Sequence, residues 1–227
     1  MLRLLTLFIG AILLIGCGHK NEYTISGNIS DTIIDGNFVF MYDGNKVIDS
    51  AKVVDNSFEF TGIADSVVFA EITYDTQSWK TSGIIALEPG DIEIILNNHN
   101  SSTAATGTVL NDAINEYTAK KVAIETNLRT KYEKTITDKT LDKRQQQRQI
   151  DQVNKSYFDQ TKDVVIQAIT KNLDNEASAL FLSDNYPNTV NDMQFGELYS
   201  KMSARIKTRH ELKKAYLRYK TNTTIIK

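Results

Sequence analysis

The hydrophobic period changes near Gly107, and this change constrains the fold more than any other feature of the 227-residue sequence. From Tyr23 to about Thr106, apolar residues alternate with polar residues in short runs, as in half-buried strands. After Gly107, apolar residues recur at steps of three and four, which is the period of an amphipathic helix. The sequence therefore predicts an α+β fold in which the strands come first and the helices follow.

Turn-forming residues separate the apolar runs of the first half. The turns are predicted at Asp35-Gly36, Asp43-Gly44-Asn45, Asp55-Asn56 and Pro89-Gly90. About seven short strands at such close spacing predict an antiparallel β-sandwich or barrel over residues 23–106.

The second half, residues 107–227, is predicted to be a helical domain. Its apolar stripes run from Leu110 to Tyr132 and from Ile150 to Leu173, which predicts a hairpin of two long helices. The polar residues 135–148 between them are expected at the solvated tip of this hairpin. The stripes broaden toward Gly107 and Leu173, so we expect the base of the hairpin to pack on the sheet.

Further C-terminal helices are predicted from the same period. One is expected at residues 175–184, ended by Pro187, and another from Thr189 to about Lys220.

The first sixteen residues have the pattern of a signal peptide. Arg3 supplies a positive charge, an apolar run follows from Leu4 to Ile15, and the small residue Gly16 precedes Cys17. As a helix, about twelve apolar residues span roughly 18 Å, which is too short for the ~30 Å hydrocarbon core of a membrane. We therefore expect a secretion signal, residues 1–16, rather than a permanent transmembrane helix.

The segment Leu14-Ile15-Gly16-Cys17 resembles the lipobox of bacterial lipoproteins. This resemblance implies that Cys17 becomes the acylated first residue of the mature protein, and that residues 17–22 form a short lipidated tether to the membrane. Gly18, rather than Asp, implies an outer-membrane destination, on its periplasmic or its surface-exposed face. The alternative is that Cys17 is an incidental residue of an ordinary cleaved signal.

Charge is divided along the same line as the hydrophobic period. Residues 17–107 contain 4 Lys and Arg against 13 Asp and Glu, whereas residues 108–227 contain 21 against 15. The stretch 201–227 is the most basic, with nine Lys and Arg and a single acid, Glu211. It indicates either a surface for an acidic partner, such as anionic lipid or lipopolysaccharide, or a solvated helix whose cations face the acidic sheet half. Secretion excludes nucleic acid as a partner.

No catalytic motif is recognisable, and we expect the protein not to be an enzyme. A single Cys excludes an internal disulfide, a CxxC redox pair and a multi-thiolate metal site, so neither a metal nor another cofactor is expected. The motifs of zinc peptidases, serine hydrolases and nucleotide-binding loops are absent. Glu88 and Asp91 flank Pro89-Gly90, and a tight turn explains this spacing better than a pair of acid–base carboxylates does.

Trp79, with its neighbour Tyr74, is a candidate ligand contact, the alternative being a core or edge-strand residue.

Several short segments, taken in order, resemble a domain of unknown function. They are Tyr23-x-Ile25-x-Gly27-x-Ile29, Asp49-Ser50-Ala51, Phe58-Glu59-Phe60-Thr61-Gly62, Leu87-Glu88-Pro89-Gly90-Asp91-Ile92, Gly107-Thr108-x-x-Asn111 and Asn175-Glu176-Ala177-Ser178-Ala179-Leu180. In lipoproteins of Gram-negative, gut-type bacteria, that domain precedes a thioredoxin-like module of the AhpC/TSA or TlpA type. The resemblance implies no catalytic residue here, because thiol exchange needs an attacking thiolate and the sequence has no CxxC pair.

Three functions remain open at this point. The leading hypothesis is a non-enzymatic, lipid-anchored module that binds or scaffolds another envelope protein. The second is an accessory or shortened relative of a thiol:disulfide oxidoreductase, which docks a separate thioredoxin-like protein. The third is a carbohydrate-binding module that uses Trp79 and Tyr74.

The lipid anchor is tested directly by mass spectrometry of the native protein. We expect an N-terminal peptide that begins at Cys17 and carries acyl chains, because the lipobox directs this modification. An unmodified Cys17, or a protein that dissolves freely without detergent, would contradict both the anchor and the predicted location.

Overall fold

The computed structural model describes residues 21–30, 36–75, 80–97 and 102–225. The predicted signal peptide, the lipobox residues Leu14, Ile15 and Gly16, the acylation site Cys17, and Trp79 lie outside these described residues.

The predicted order of strands first and helices second is confirmed. The described residues form eight strands, the last of which ends at Thr106, and the first helix begins at Val109. The strands are β1 (Glu22–Ile29), β2 (Phe38–Asp43), β3 (Lys46–Lys52), β4 (Ser57–Ile63), β5 (Val68–Asp75), β6 (Lys80–Leu87), β7 (Gly90–Asn97) and β8 (Ser102–Thr106). The helices are α1 (Val109–Thr137), α2 (Lys143–Lys171), α3 (Glu176–Asn185), α4 (Asp192–Lys201), α5 (Ala204–Lys207) and α6 (His210–Ile225).

The strands form two four-stranded sheets, in the orders β4-β1-β7-β8 and β3-β2-β5-β6. Their inner faces meet in one apolar core, because alternate residues of each strand point inward. The largest fully buried side chains of this core are Ile25, Met41, Ile72, Tyr74, Ile85, Ile92, Ile94 and Leu96. The expected antiparallel arrangement needs one correction, since β1 and β7 pair in parallel. These two strands are far apart in the sequence, and the chain between them forms β4 and all four strands of the other sheet.

The predicted turn at Asp55-Asn56 is a two-residue hairpin. Val54 and Ser57 exchange both backbone hydrogen bonds, at 3.0 and 2.9 Å, and both central residues have positive φ values of 50° and 60°. This conformation matches the twist of the flanking strands, and Asp and Asn adopt it more readily than most other residues.

Two glycines, Gly27 in β1 and Gly62 in β4, lie beneath aromatic rings of the paired strand. Both belong to the segments that resemble a domain of unknown function. Gly27 pairs with Phe58, and Tyr23 pairs with Gly62. A Cβ atom on Gly27 would lie 2.0 Å from the Phe58 ring, and one on Gly62 would lie 2.4 Å from the Tyr23 hydroxyl. Packing of the two rings over the two glycines therefore explains these residue types.

The polar segment 135–148 lies at the tip of the hairpin, and most of it is helical. Only residues 138–142 separate α1 from α2. Asp142 caps α2 by accepting a hydrogen bond from the Gln145 backbone at 2.8 Å, and the Gln145 side chain accepts one from the Asp142 backbone at 2.9 Å. This reciprocal capping box starts the helix in the middle of the polar run.

The predicted single helix from Thr189 to Lys220 is also corrected, since it is three helices. Asn191 begins α4 with a second capping box, and Ser203 caps α5 by accepting from the Ile206 backbone. Each cap satisfies a backbone N–H group of the first helical turn, which has no partner within its own helix, so a new helix starts at each position.

Asn111 joins the helical half to the sandwich. β6 is an edge strand, so alternate residues turn their N–H and C=O away from the sheet. Asn111 is fully buried, and its side chain accepts from the Ala86 N–H at 2.9 Å and donates to the Ala86 C=O at 2.8 Å. It also donates to the Thr108 hydroxyl at 2.8 Å. The amide thus pairs with β6 as the backbone of another strand would.

Glu88 and Gly107 complete this joint. Glu88 accepts a hydrogen bond from the backbone N–H of Leu110 at 2.7 Å, so it caps the first turn of α1 and places a negative charge there. Gly107 has a φ of 100°, and a Cβ atom on it would lie 2.4 Å from the carbonyl oxygen of Asp91. The sharp turn into α1 therefore requires glycine.

Replacing Asn111 with leucine tests the joint. We expect Asn111→Leu to lower the free energy of unfolding by about 2–4 kcal/mol, because the buried N–H and C=O of Ala86 lose their partner. Urea denaturation followed by circular dichroism measures this change.

The matched control is Asn115→Leu, the same exchange one turn further along α1. Asn115 is half-buried, and no hydrogen bond of its side chain occurs among the described residues. We expect a loss below about 1 kcal/mol there. Equal losses at the two positions would contradict the role given to Asn111.

Candidate functional site: a groove along the helical hairpin

The hairpin extends beyond the sandwich because its helices are longer than the strands. Each helix has 29 residues, about 43 Å at the α-helical rise, whereas β6 has 8 residues, about 26 Å. α1 runs antiparallel to β6, since Asn111 contacts Ala86 near the end of β6 and Val122 lines the same cleft as Ser82 near its start. The half of α1 beyond this cleft extends past the end of the sandwich.

A groove of about 530 Å³ follows this outer half between the two helices. Every residue that lines it belongs to α1 or α2, namely Val122, Glu125, Thr126, Leu128, Arg129, Tyr132, Val153, Asn154 and Tyr157. Its volume lies within the usual range of binding clefts. None of the lining residues belongs to a strand. The surface of the groove is therefore open to a partner.

The groove combines an apolar floor with exposed aromatic walls. Leu128 is 3% exposed, whereas Tyr132 and Tyr157 remain 40% and 38% exposed. Tyr157 donates a hydrogen bond to Glu125 across the groove at 3.3 Å, which holds one wall in place. Large, half-exposed tyrosines with few rotatable bonds are typical anchors of binding surfaces.

The spacing of the lining residues on α1 is that of one helix face. Val122, Glu125, Arg129 and Tyr132 follow one another at steps of three and four residues. Such a ridge beside a second helix forms the groove into which a third helix packs in small bundles. The arrangement therefore fits an incoming helix better than an extended peptide.

A second groove, of about 460 Å³, lies on the opposite face of the hairpin and is more polar. It is lined by Leu128, Lys131, Lys134, Thr135, Asp138, Gln149, Gln152, Val153 and Ser156. No aromatic residue is among these, so this face serves as an internal comparison for the first groove.

Glu116 ties α1 to α2 at the base of the hairpin. Its carboxylate pairs with Lys120 one turn further along α1, at 2.8 Å, and with Lys171 at the end of α2. Hydrogen bonds from these two lysines lower the pKa of Glu116 to about 2. The groove thus lies on a hairpin whose two helices are held in register at their base.

Of the two residues proposed as ligand contacts from the sequence, Tyr74 alone lies among the described residues. Tyr74 is fully buried in the sandwich core, where its hydroxyl accepts a hydrogen bond from Asn37 at 3.4 Å. This burial corrects the expectation that Tyr74 contacts a ligand at the surface, because β-strand alternation points its ring inward. Trp79 lies outside the described residues.

Glu88 and Asp91 take part in structure rather than forming an open carboxylate pair. Glu88 caps α1, and Asp91 lies against Gly107 through its backbone carbonyl. Within the described ranges, no three His, Cys, Asp or Glu side chains gather into a group that could hold a metal ion. None of the described helices is both long and apolar enough to cross a membrane.

The basic C-terminal stretch pairs with acids of its own half. The partners of Lys201, Arg205 and Arg209 are all helical residues, Glu197, Glu176 and Glu211. Among the described residues, no acid of the sandwich pairs with this stretch. Its cations therefore do not pair with the acids of the sheet half, although Arg209 contacts that half by donating to the Val67 carbonyl at 2.9 Å.

A family model matches the first part of the chain. Residues 23–114 match the family model of a domain of unknown function, DUF4369. This match agrees with the resemblance seen in the sequence, and it covers the sandwich, the Asn111 joint and the first turns of α1. No curated protein and no solved structure matches the chain. The groove lies beyond the matched residues.

Glu116 gives the hairpin base a measurable pH dependence. Its pKa in the folded protein lies below the ordinary value of 4.5, so its stabilising effect is complete above about pH 4.5 and is lost as the pH falls toward 2. Since its side chain is 41% exposed, we expect Glu116→Gln to cost only about 0.5 kcal/mol at pH 7. Urea denaturation of both proteins between neutral and acidic pH measures the difference, which should shrink on acidification.

Glu133→Gln is the matched control, because Glu133 forms only an exposed pair with Arg129 at 3.8 Å on the same helix. We expect its effect to stay within about 0.3 kcal/mol. A difference between wild type and Glu116→Gln that does not change with pH would contradict the assignment.

Proposed function

We propose that this chain is a non-enzymatic, lipid-anchored envelope protein whose hairpin groove binds an amphipathic helix of another envelope protein. The observation that carries this proposal is the groove between α1 and α2, with Tyr132 and Tyr157 exposed above a buried Leu128. An apolar helix face inserted there would complete a three-helix bundle.

The position of the groove supports a binding role. α1 starts at the end of the sandwich where β1 begins, because Tyr23 of β1 pairs with Gly90, next to the joint. The predicted acylation site Cys17 precedes β1 by only a few residues. The outer half of the hairpin therefore projects from the sandwich at the end opposite the proposed anchor, where a partner can reach it.

The charges in the groove indicate what the partner helix carries. Glu125 and Arg129 lie one turn apart on α1, with Glu125 already bonded to Tyr157. A partner with an acidic residue opposite Arg129, and apolar residues at steps of three and four, matches this surface. Opposite charges at the rim set the orientation more than the affinity of such a complex.

Site-specific crosslinking in intact cells tests the proposal. A photo-crosslinking amino acid at the position of Arg129 is expected to trap one partner protein, at residues spaced three and four apart. The same amino acid at the position of Gln152, which lines the second groove, is the control and should trap little of that protein.

A substitution in the groove gives the second arm of this test. Tyr132→Asp is expected to abolish the crosslink from position 129, whereas Phe158→Asp, an exposed aromatic outside both grooves, should leave it intact. Crosslinks only between copies of this chain would contradict the proposal in favour of self-association. Equal crosslinking from positions 129 and 152 would also contradict it.

A further inference from the structure

The exposed face of α6 carries cations that have no acidic partner. Lys213, Lys214, Arg218 and Lys220 are all exposed, and none forms an ion pair within the described residues. Leu212 and Ala215 are buried on the opposite face, against the other C-terminal helices. The packing of α6 thus leaves one continuous basic face in solvent.

An apolar side chain stands in the middle of this basic face. Leu217 is 66% exposed, and the helical period places it between Lys213, Lys214 and Lys220. Asp184 and Glu211 line the groove beside α6, and Asp192 accepts a hydrogen bond from Asn222 further along the helix. Glu211 pairs with Arg209, so the four cations of the face outnumber the two remaining acids. Cations around an apolar residue are typical of helices that lie on a membrane surface.

Contacts within the fold place the start of α6 at the same end of the sandwich as the start of β1. Arg209, next to α6, donates to the Val67 carbonyl at 2.9 Å. Val67 is three residues after Ala64 and two after Asp65. The Ala64 N–H donates to the Asn21 carbonyl at 2.8 Å, and the Asn21 side chain donates to Asp65 at 3.0 Å. The basic face of α6 therefore begins near Asn21, the first described residue.

The length of the preceding segment limits how far this end can be from a membrane. Four residue steps separate Cys17 from Asn21, which is at most about 14 Å of extended chain. Exposed charges act over about one Debye length, ~8 Å at physiological ionic strength. If Cys17 carries acyl chains, the start of α6 lies close enough to the membrane for its positive charges to attract anionic headgroups.

We infer that the basic face of α6 docks on anionic lipid headgroups, so that the protein is held on its membrane by a charged surface in addition to the acyl anchor. The inference rests on the lipid anchor of the proposed function for the position of the membrane, but it does not depend on the hairpin groove. Charge complementarity and the short tether both favour a lipid surface as the occupant.

Vesicle binding without the acyl anchor tests the inference. The mature chain carrying Cys17→Ser is mixed with vesicles of phosphatidylcholine, with or without about one third phosphatidylglycerol, and sedimented. We expect binding to the anionic vesicles only, and loss of this binding in about 0.5 M salt. Binding to neither vesicle, or equally to both, would overturn the inference whether or not Cys17 is acylated in cells.

A pair of charge-matched variants separates α6 from net charge. Lys213→Glu, Lys214→Glu and Arg218→Glu together are expected to weaken binding about tenfold or more, since each basic residue near an anionic surface strengthens binding about fivefold. The control carries Lys139→Glu, Lys143→Glu and Arg144→Glu at the hairpin tip, with the same change of charge, and should bind like the parent. Equal weakening in both variants would overturn the inference.

A fluorescent label reports the contact itself. In the Cys17→Ser chain no other Cys is present, so Leu217→Cys accepts a single environment-sensitive dye. We expect a blue shift on anionic vesicles from position 217, and no shift from a dye attached through Lys139→Cys at the tip. A shift from the tip and none from position 217 would overturn the inference.

Discussion

The hydrogen bonds between Asn111 and Ala86 fix how the two halves of the chain meet. An edge strand exposes unpaired backbone groups, which water or another strand must satisfy. Here one buried side-chain amide satisfies both groups of Ala86, and it does so from the first turn of α1. Since Glu88 caps the same turn and Gly107 permits the bend before it, the start and direction of α1 are set by the sandwich. The position of the hairpin, and of its groove, depends on this joint.

The sequence predicts the fold class well because the hydrophobic period is a local signal. It predicts the sheet topology poorly because the pairing of distant strands leaves no local signal. The change of period at Gly107 lies between the last strand and the first helix. The strand Ser102–Thr106 carries little period-two signal, because Ala105 is its only buried apolar residue. The helix starts at Asp142 and Ser203 follow short capping signals, which the longer polar and apolar runs hide. The parallel pairing of β1 with β7 has no local signal at all.

The groove exists because only two helices meet in the outer half of the hairpin. The hydrophobic period of the sequence predicts the helices but not how many of them pack together there. The stripe that includes Leu128 and Tyr132 is visible in the sequence, and it correctly indicates helices that pack together. Two helices share only one seam, so residues beside that seam stay exposed unless a third element covers them. Near the base, α3 and the sandwich supply this cover, and Tyr117 packs against Phe181 there. Further out, no such element among the described residues lines the groove, and Tyr132 and Tyr157 remain partly in solvent.

The start of the basic face and the start of the hairpin groove lie at different levels of the fold. Arg209 and the start of α6 lie at the end of the sandwich where β1 begins, whereas the groove starts at Val122, about 20 Å further along α1. A membrane held near Asn21 by a short tether would meet the cations first and would not cover the tyrosines. Long-range attraction to headgroups and short-range packing of a partner helix are therefore able to act at the same time. The joint at Asn111 makes this separation a fixed property, because it sets the direction in which the hairpin leaves the sandwich.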